Sequence, residues 1–129
     1  MLLNYLLMAV SFGMTFLFGC TGEILTEKAG HLNLGIPGIM CMGGACGCLA
    51  LKWMSGLPLP GVLIVVFAIL AAFAGGILMG AIYSFLTVTL KANQNVTGLA
   101  MTTFGVGTTK FIMSGMAPTA TEDYLYALK

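Results

Sequence analysis

Glu23, Glu27, Lys28 and His31 are the residues of this chain whose types and spacing suit proton or cation chemistry. Carboxylates inside a membrane are rare and usually functional, and Glu23 is the acidic residue closest to an apolar run. The plainer reading is a solvated helix end at a membrane surface. Glu23 and Glu27 stack one helical turn apart with Lys28 beside them, so part of their charge pairs locally. His31 is the sole histidine and reads as an interfacial polar residue rather than a ligand. The cysteines, Cys20, Cys41, Cys46 and Cys48, are spaced C-x20-C, C-x4-C and C-x-C, and none forms the C-x-x-C pair of a zinc or redox site. They read as small residues of a glycine-rich helix, and no metal is expected. No carboxylate pair converges with a base, so the chain is not expected to be an enzyme.

These residues belong to a polar, Gly- and Pro-interrupted stretch, 26–44, wedged between long apolar runs. Backbone released from regular helix at membrane depth must be satisfied by protein or by a water-lined cavity, so such a stretch marks a discontinuous membrane element. The surrounding chain agrees. Of 129 residues 59% are hydrophobic and 7% charged, with a mean hydropathy of +1.03. A soluble domain carries about 25% charged residues, so this chain is read as an all-α polytopic membrane protein. Its net charge of +1, without arginine, gives no basic field for nucleic acid.

At about 20 residues per span the length accommodates about four transmembrane or re-entrant helices. The expected spans are 2–21, 34–52, 60–85 and 96–116, followed by a polar tail, 117–129. The first lacks the basic start of a signal peptide, and Phe18 spoils a lipobox ending at Cys20. In the second, Gly35, Pro37 and Gly38 introduce a break, and Trp53 and Lys52 anchor the far end at the headgroups. Ala68, Ala72, Gly76, Gly80 and Ser84 recur every four residues in the third and predict a packing seam, Gly76 and Gly80 forming a GxxxG step. The fourth is rich in Thr and Gly, carries Lys110, and reads as broken near Gly105–Gly107. That pair is no dinucleotide fingerprint, because no strand precedes it.

Two stretches resemble the permease subunits of bacterial ABC importers for nucleosides and simple sugars. Glu27–Met40, EKAGHLNLGIPGIM, is similar to that family's signature E-R-[SA]-G-x-x-N-[IL]-G-x-E-G-M-M. Leu90–Ala100, LKANQNVTGLA, is similar to its second signature, a polar turn followed by V-x-G-L-A. The order and the intervening long apolar helix fit as well. The motif positions are Glu27, Lys28, Gly30, Asn33, Gly35, Gly38, Asn93, Gln94 and Gly98. Pro37 stands where the commonest pattern has glutamate, and Lys28 keeps the charge of the usual arginine without its fork.

The resemblance implies a subunit of the bacterial plasma membrane that forms part of a solute path. Asn33, Gly35, Pro37, Gly38, Asn93, Gln94 and Gly98 are its candidate path residues. The partners it implies are a second permease subunit, a cytoplasmic ATPase that holds ATP and Mg, an extracellular solute-binding lipoprotein, and membrane lipid. No cofactor is expected on this chain. Members of that family are usually much longer, so the chain reads as an N-terminal portion. The alternative is a small four-helix, proton-coupled multidrug exporter working as a dimer, which would need Glu23 as its carboxylate. Lysine counts place loops 22–33 and 91–95 in the cytoplasm.

Overall fold

The computed structural model describes residues 2–58 and 60–116; the polar tail, 117–129, lies outside the described residues. The helices are α1 (Leu2–Lys28), α2 (Ile36–Met54), α3 (Gly61–Ser84) and α4 (Gln94–Ser114), with a π-helical segment, Phe85–Thr89, finishing α3. No strand occurs among the described residues. Leu2–Lys28, Ile36–Met54 and Gly61–Thr89 are each long and apolar enough to cross a membrane. The fourth helix has 21 residues, about 32 Å at 1.5 Å per residue, so it has membrane length, but threonines, glycines and Lys110 dilute its apolar character.

α1 runs about two turns past the expected end of the first span, so Glu23, Glu27 and Lys28 belong to helix rather than to loop. Lys28 sits in its last turn, where a cation meets the negative end of the helix dipole. The break expected inside the second span falls ahead of it instead. Residues 29–35 are irregular, while α2 is continuous from Ile36 with Pro37 in its first turn. Proline has no N–H to lose there, so it starts a helix where it would break one further in. The break expected near Gly105–Gly107 is likewise absent, α4 being unbroken through both glycines.

α2 lies between α3 and α4, and α1 stands to one side. On the α3 side, Gly43 and Gly47 face the carbonyls of Ala72 and Ala68, and a methyl group at either glycine would come within 3.1–3.3 Å of them. Further along, Gly75 abuts Cys46, and Met79 and Tyr83 enclose a small core with Met101 of α4, flanked by Ile39 and Met42. The seam of α3 therefore reads Ala68, Ala72, Gly75, Met79, Tyr83. Ala68 and Ala72 lie in it, and Gly76 touches its edge, its nitrogen lying 3.7 Å from where a Gly43 Cβ would stand. Gly80 and Ser84 leave it and face a cleft. The reason is helical geometry. Four residues turn a helix by about 400°, so a strict every-fourth stripe drifts about 40° per step. A straight seam alternates threes and fours.

At the far end of the bundle, Lys52 Nζ donates to the Gly115 carbonyl at 3.4 Å, tying α2 to the end of α4. Among the described residues α1 is the least covered helix: Phe12, Phe16 and Phe18 are 66%, 72% and 69% exposed, and no residue of the helix is buried.

Candidate functional site: the 29–35 link and the cleft beside it

The link between α1 and α2 begins with a tight helix stop. Gly30 takes φ +85°, His31 N donates to Thr26 O at 3.0 Å, and Gly30 N donates to Glu27 O at 2.9 Å. This pair of bonds is the Schellman closure, which needs a left-handed residue after the helix. Nothing lies within 4 Å of a Cβ built on Gly30, so a substitution there meets backbone strain alone. Gly30→Ala is expected to destabilise the fold by about 1 kcal/mol, and Gly30→Asn by less. The thermal midpoint of the purified protein in detergent checks this, and an unchanged midpoint for Gly30→Ala contradicts it.

From there four backbone groups of 32–34 find side-chain partners on α1, α3 and α4. Leu32 N donates to Gln94 Oε1 at 3.1 Å, and Leu32 O accepts from Tyr83 Oη at 3.0 Å. Asn33 N donates to Glu23 Oε1 at 3.2 Å, and Leu34 O accepts from Thr102 Oγ1 at 2.7 Å. Asn33, 5% exposed, turns its own Oδ1 back to Gly35 N at 2.9 Å. The link is thus irregular backbone satisfied by protein, as membrane depth demands. α4 is aimed at it by Asn93, whose Oδ1 accepts from Asn95 N and Val96 N at the start of that helix. The preceding turn passes through Lys91 at φ 52°, and Ala92 N reaches back to Leu86 O.

α2 and α4 cross in backbone-to-backbone contact immediately after the link. A Cβ on Gly98 would meet Leu34 Cβ and N at 2.9 Å, and one on Gly105 would meet Gly38 Cα at 2.7 Å. A Cβ on Gly38 would in turn meet Thr102 Cα at 2.7 Å. Gly35, Gly38, Gly98 and Gly105 are all buried in this crossing. Small residues let membrane helices approach so closely that their backbones touch.

On the opposite side of α2, α1 meets it along a short glycine face, Gly19 lying against Met40 and Ile36 and Gly22 against Ile36. Elsewhere the two helices part, leaving a cleft of about 460 Å³ between α1, the start of α2 and the end of α3. Phe18, Ile39, Met40 and Val88 make its apolar wall; Thr26, His31, Asn33, Tyr83, Ser84 and Thr87 cluster on it as polar groups. Most of these hydroxyls already donate: Thr26 to Glu23 O, Thr87 to Tyr83 O, and Tyr83 to Leu32 O. His31 Nδ1 differs, being buried without a hydrogen-bond partner. A second recess, on the other flank of α1, is lined by Glu23, Cys20, Pro37 and Cys41.

Residues 3–123 match the family described as branched-chain amino acid transport system, permease component. The chain belongs to this permease family. It is 36% identical over 94 residues to a putative glucose ABC transporter permease of Haloferax volcanii, covering 73% of this chain and 26% of that protein. It is 30% identical over 103 residues to a guanosine ABC transporter permease of Bacillus subtilis, covering 71% of this chain and 28% of that one. The chain spans about a quarter of the length of these relatives. No solved structure matches it significantly. Family membership and the apolar helices make it a multi-pass integral protein of the plasma membrane, and set aside the four-helix exporter.

The candidate path residues fall into three places. Gly35, Gly38 and Gly98 lie in the α2–α4 crossing, Gly38 against backbone and Gly35 and Gly98 against backbone and the first side-chain atoms of their neighbours. Asn93 and Gln94 cap α4 and hold the link. Asn33 lines the cleft and Pro37 the second recess. Glu23, read as a proton site or a solvated end, accepts from the Asn33 amide instead. Tyr83 and Thr102 belong to no motif, and their signal in the sequence is that a hydroxyl inside an apolar run must find a partner.

Proposed function

We propose that the chain is the membrane-spanning permease component of an ATP-driven importer for nucleosides or simple sugars, and that the cleft beside Asn33 is part of its solute path. The cleft carries the reading. It has the volume of a small-ligand site, apolar walls and a few convergent polar groups. It lies between a loosely attached helix and a firmly packed α2–α3–α4 unit, so rocking of α1 against that unit would widen or close it. The relatives' names supply the solute classes, a sugar and a nucleoside.

On this reading the chain does no covalent chemistry. A cytoplasmic ATPase partner hydrolyses ATP with its Mg, a second permease subunit completes the path, and an extracellular lipoprotein delivers the solute. The two glycine-walled seams keep the packed unit rigid while α1 moves.

The test is uptake of radiolabelled guanosine, glucose and leucine by source cells that carry or lack the gene. Loss of guanosine or glucose uptake on deletion, restored by the gene and abolished by ATP depletion, is the expected result. Unchanged uptake of all three would overturn the reading.

A further inference from the structure

The second recess, on the other flank of α1 from the cleft, sets one carboxylate among apolar walls. Phe16, Cys20 and Glu23 recur at helical spacing and so share one face of α1, as Pro37 and Cys41 do on α2. Gly19, pressed against Met40, brings the two faces together. The space between them is about 510 Å³, within the range of small-molecule sites. Glu23 is half-buried and is the one charged group in the lining. Its Oε1 accepts from the Asn33 amide, and its other oxygen forms no hydrogen bond or ion pair with any described residue. A carboxylate on a membrane-spanning helix is costly without a partner. No lysine or histidine lines the recess, so the fold itself supplies no cation there.

The chemistry of the lining narrows the occupant. A hard cation such as Ca²⁺ takes about 6–8 oxygen ligands. The recess offers the Glu23 carboxylate and the Thr15 hydroxyl, which already donates to Ser11 O at 3.3 Å. No group of three histidine, cysteine or acidic side chains among the described residues is placed to hold a metal ion. An anion is repelled by Glu23, and a sugar would leave most of its hydroxyls facing carbon. A positive charge on an apolar body meets both features of the site. We infer that this recess binds a lipophilic organic cation, an ammonium group carried on an aromatic or aliphatic body, with Glu23 as its counter-ion. The charge pairs with the carboxylate in surroundings drier than water, the body covers Ile36, Pro37 and Met40, and the Phe16 ring offers its face to the ammonium. Such a molecule partitions into the bilayer and reaches the recess along α1, the least covered helix. The site differs from the cleft in flank and in the chemistry of its occupant, and it stands whether or not the cleft carries solute.

Two photoreactive probes of nearly equal size test it on membranes of the source cells: a benzophenone bearing a trimethylammonium group, and its uncharged tert-butyl counterpart. Crosslinked positions are mapped by mass spectrometry of the isolated protein. The cation is expected to label the stretches 15–23 and 36–41 about fivefold more strongly than the neutral probe. Excess tetraphenylphosphonium is expected to compete with it, and glucose and guanosine to have no effect. Glu23→Gln keeps an oxygen for the Asn33 amide but removes the charge, and is expected to bring the cation down to the level of the neutral probe. Cys20→Phe fills the recess from its exposed side with the carboxylate intact, and is expected to lower labelling of both stretches by both probes. Equal labelling by the two probes in the wild type, cation labelling unchanged in Glu23→Gln or in Cys20→Phe, or labelling spread along the whole length of α1 overturns the inference. None of these outcomes touches the permease reading, and failure of the uptake test leaves this site in place.

Discussion

Gly38→Val is expected to lower the thermal midpoint of the protein more than any conservative change elsewhere in the described chain. A Cβ at this position would overlap the Met101 carbonyl and stand 2.7 Å from Thr102 Cα. Both are backbone atoms of a continuous helix, so neither can swing aside as a side-chain terminus would. The helices must part along their whole crossing, which also strips the Leu34–Thr102 hydrogen bond and loosens the contact of Met101 with Tyr83 and Met79. Overpacking a well-packed interior costs about 1–3 kcal/mol, and a rigid obstacle places this case at the upper end. For a protein of this size that is a fall of roughly 10 °C in midpoint, read by size-exclusion chromatography of heated samples in detergent. Gly44→Ala is the control, because open space surrounds it and alanine is the better helix former; its midpoint is expected to hold or rise. Gly105→Ala strikes the same contact from the other helix. The double variant Gly38→Ala/Gly105→Ala should therefore cost clearly less or more than the sum of the single changes. Simple additivity would show that the two glycines do not share one crossing.

The second large effect is expected at Asn33. Asn33→Leu keeps the shape and the burial but removes the acceptor of the Gly35 amide. A buried donor left without a partner costs about 1–3 kcal/mol. Asn33→Ser should recover part of the loss, since a hydroxyl closes the same local turn more weakly. Hydrogen exchange at the Gly35 amide gives the most direct readout. Exchange that is fast in Asn33→Leu and intermediate in Asn33→Ser is the expected order, and equal protection in all three proteins would refute the turn.

These residues show what the sequence could and could not announce. The resemblance to a signature grouped Asn33, Gly35, Gly38, Gln94 and Gly98, and they do lie together at one end of the bundle. Their grouping says nothing of purpose, because a glycine that widens a path and a glycine that admits a neighbouring backbone look identical in a string of letters. The apolar runs gave the helices, since run length and charge are properties of single segments. The seam of α3 was displaced at Gly80 and Ser84 because the rotation of one helix relative to another depends on both. Glu23 is the clearest case. Its partner is the amide of Asn33, ten positions on, and a main-chain N–H leaves no mark in composition or periodicity. Tyr83 and Leu32 are separated further still, by 51 positions.

The bare surface of α1 bears on the order in which the protein comes into being. This helix precedes the others in the chain and so reaches the bilayer ahead of them. A segment that relied on neighbours to bury its side chains would wait there half-satisfied. α1 has nothing to wait for: its 27 residues close their own backbone bonds, its serine and threonine hydroxyls fold back onto carbonyls one turn earlier, and lipid serves for the rest. It joins the later helices through one glycine face and one carboxylate, both in its second half. Assembly of this region is then a late docking of an already finished helix onto a separately packed group of three.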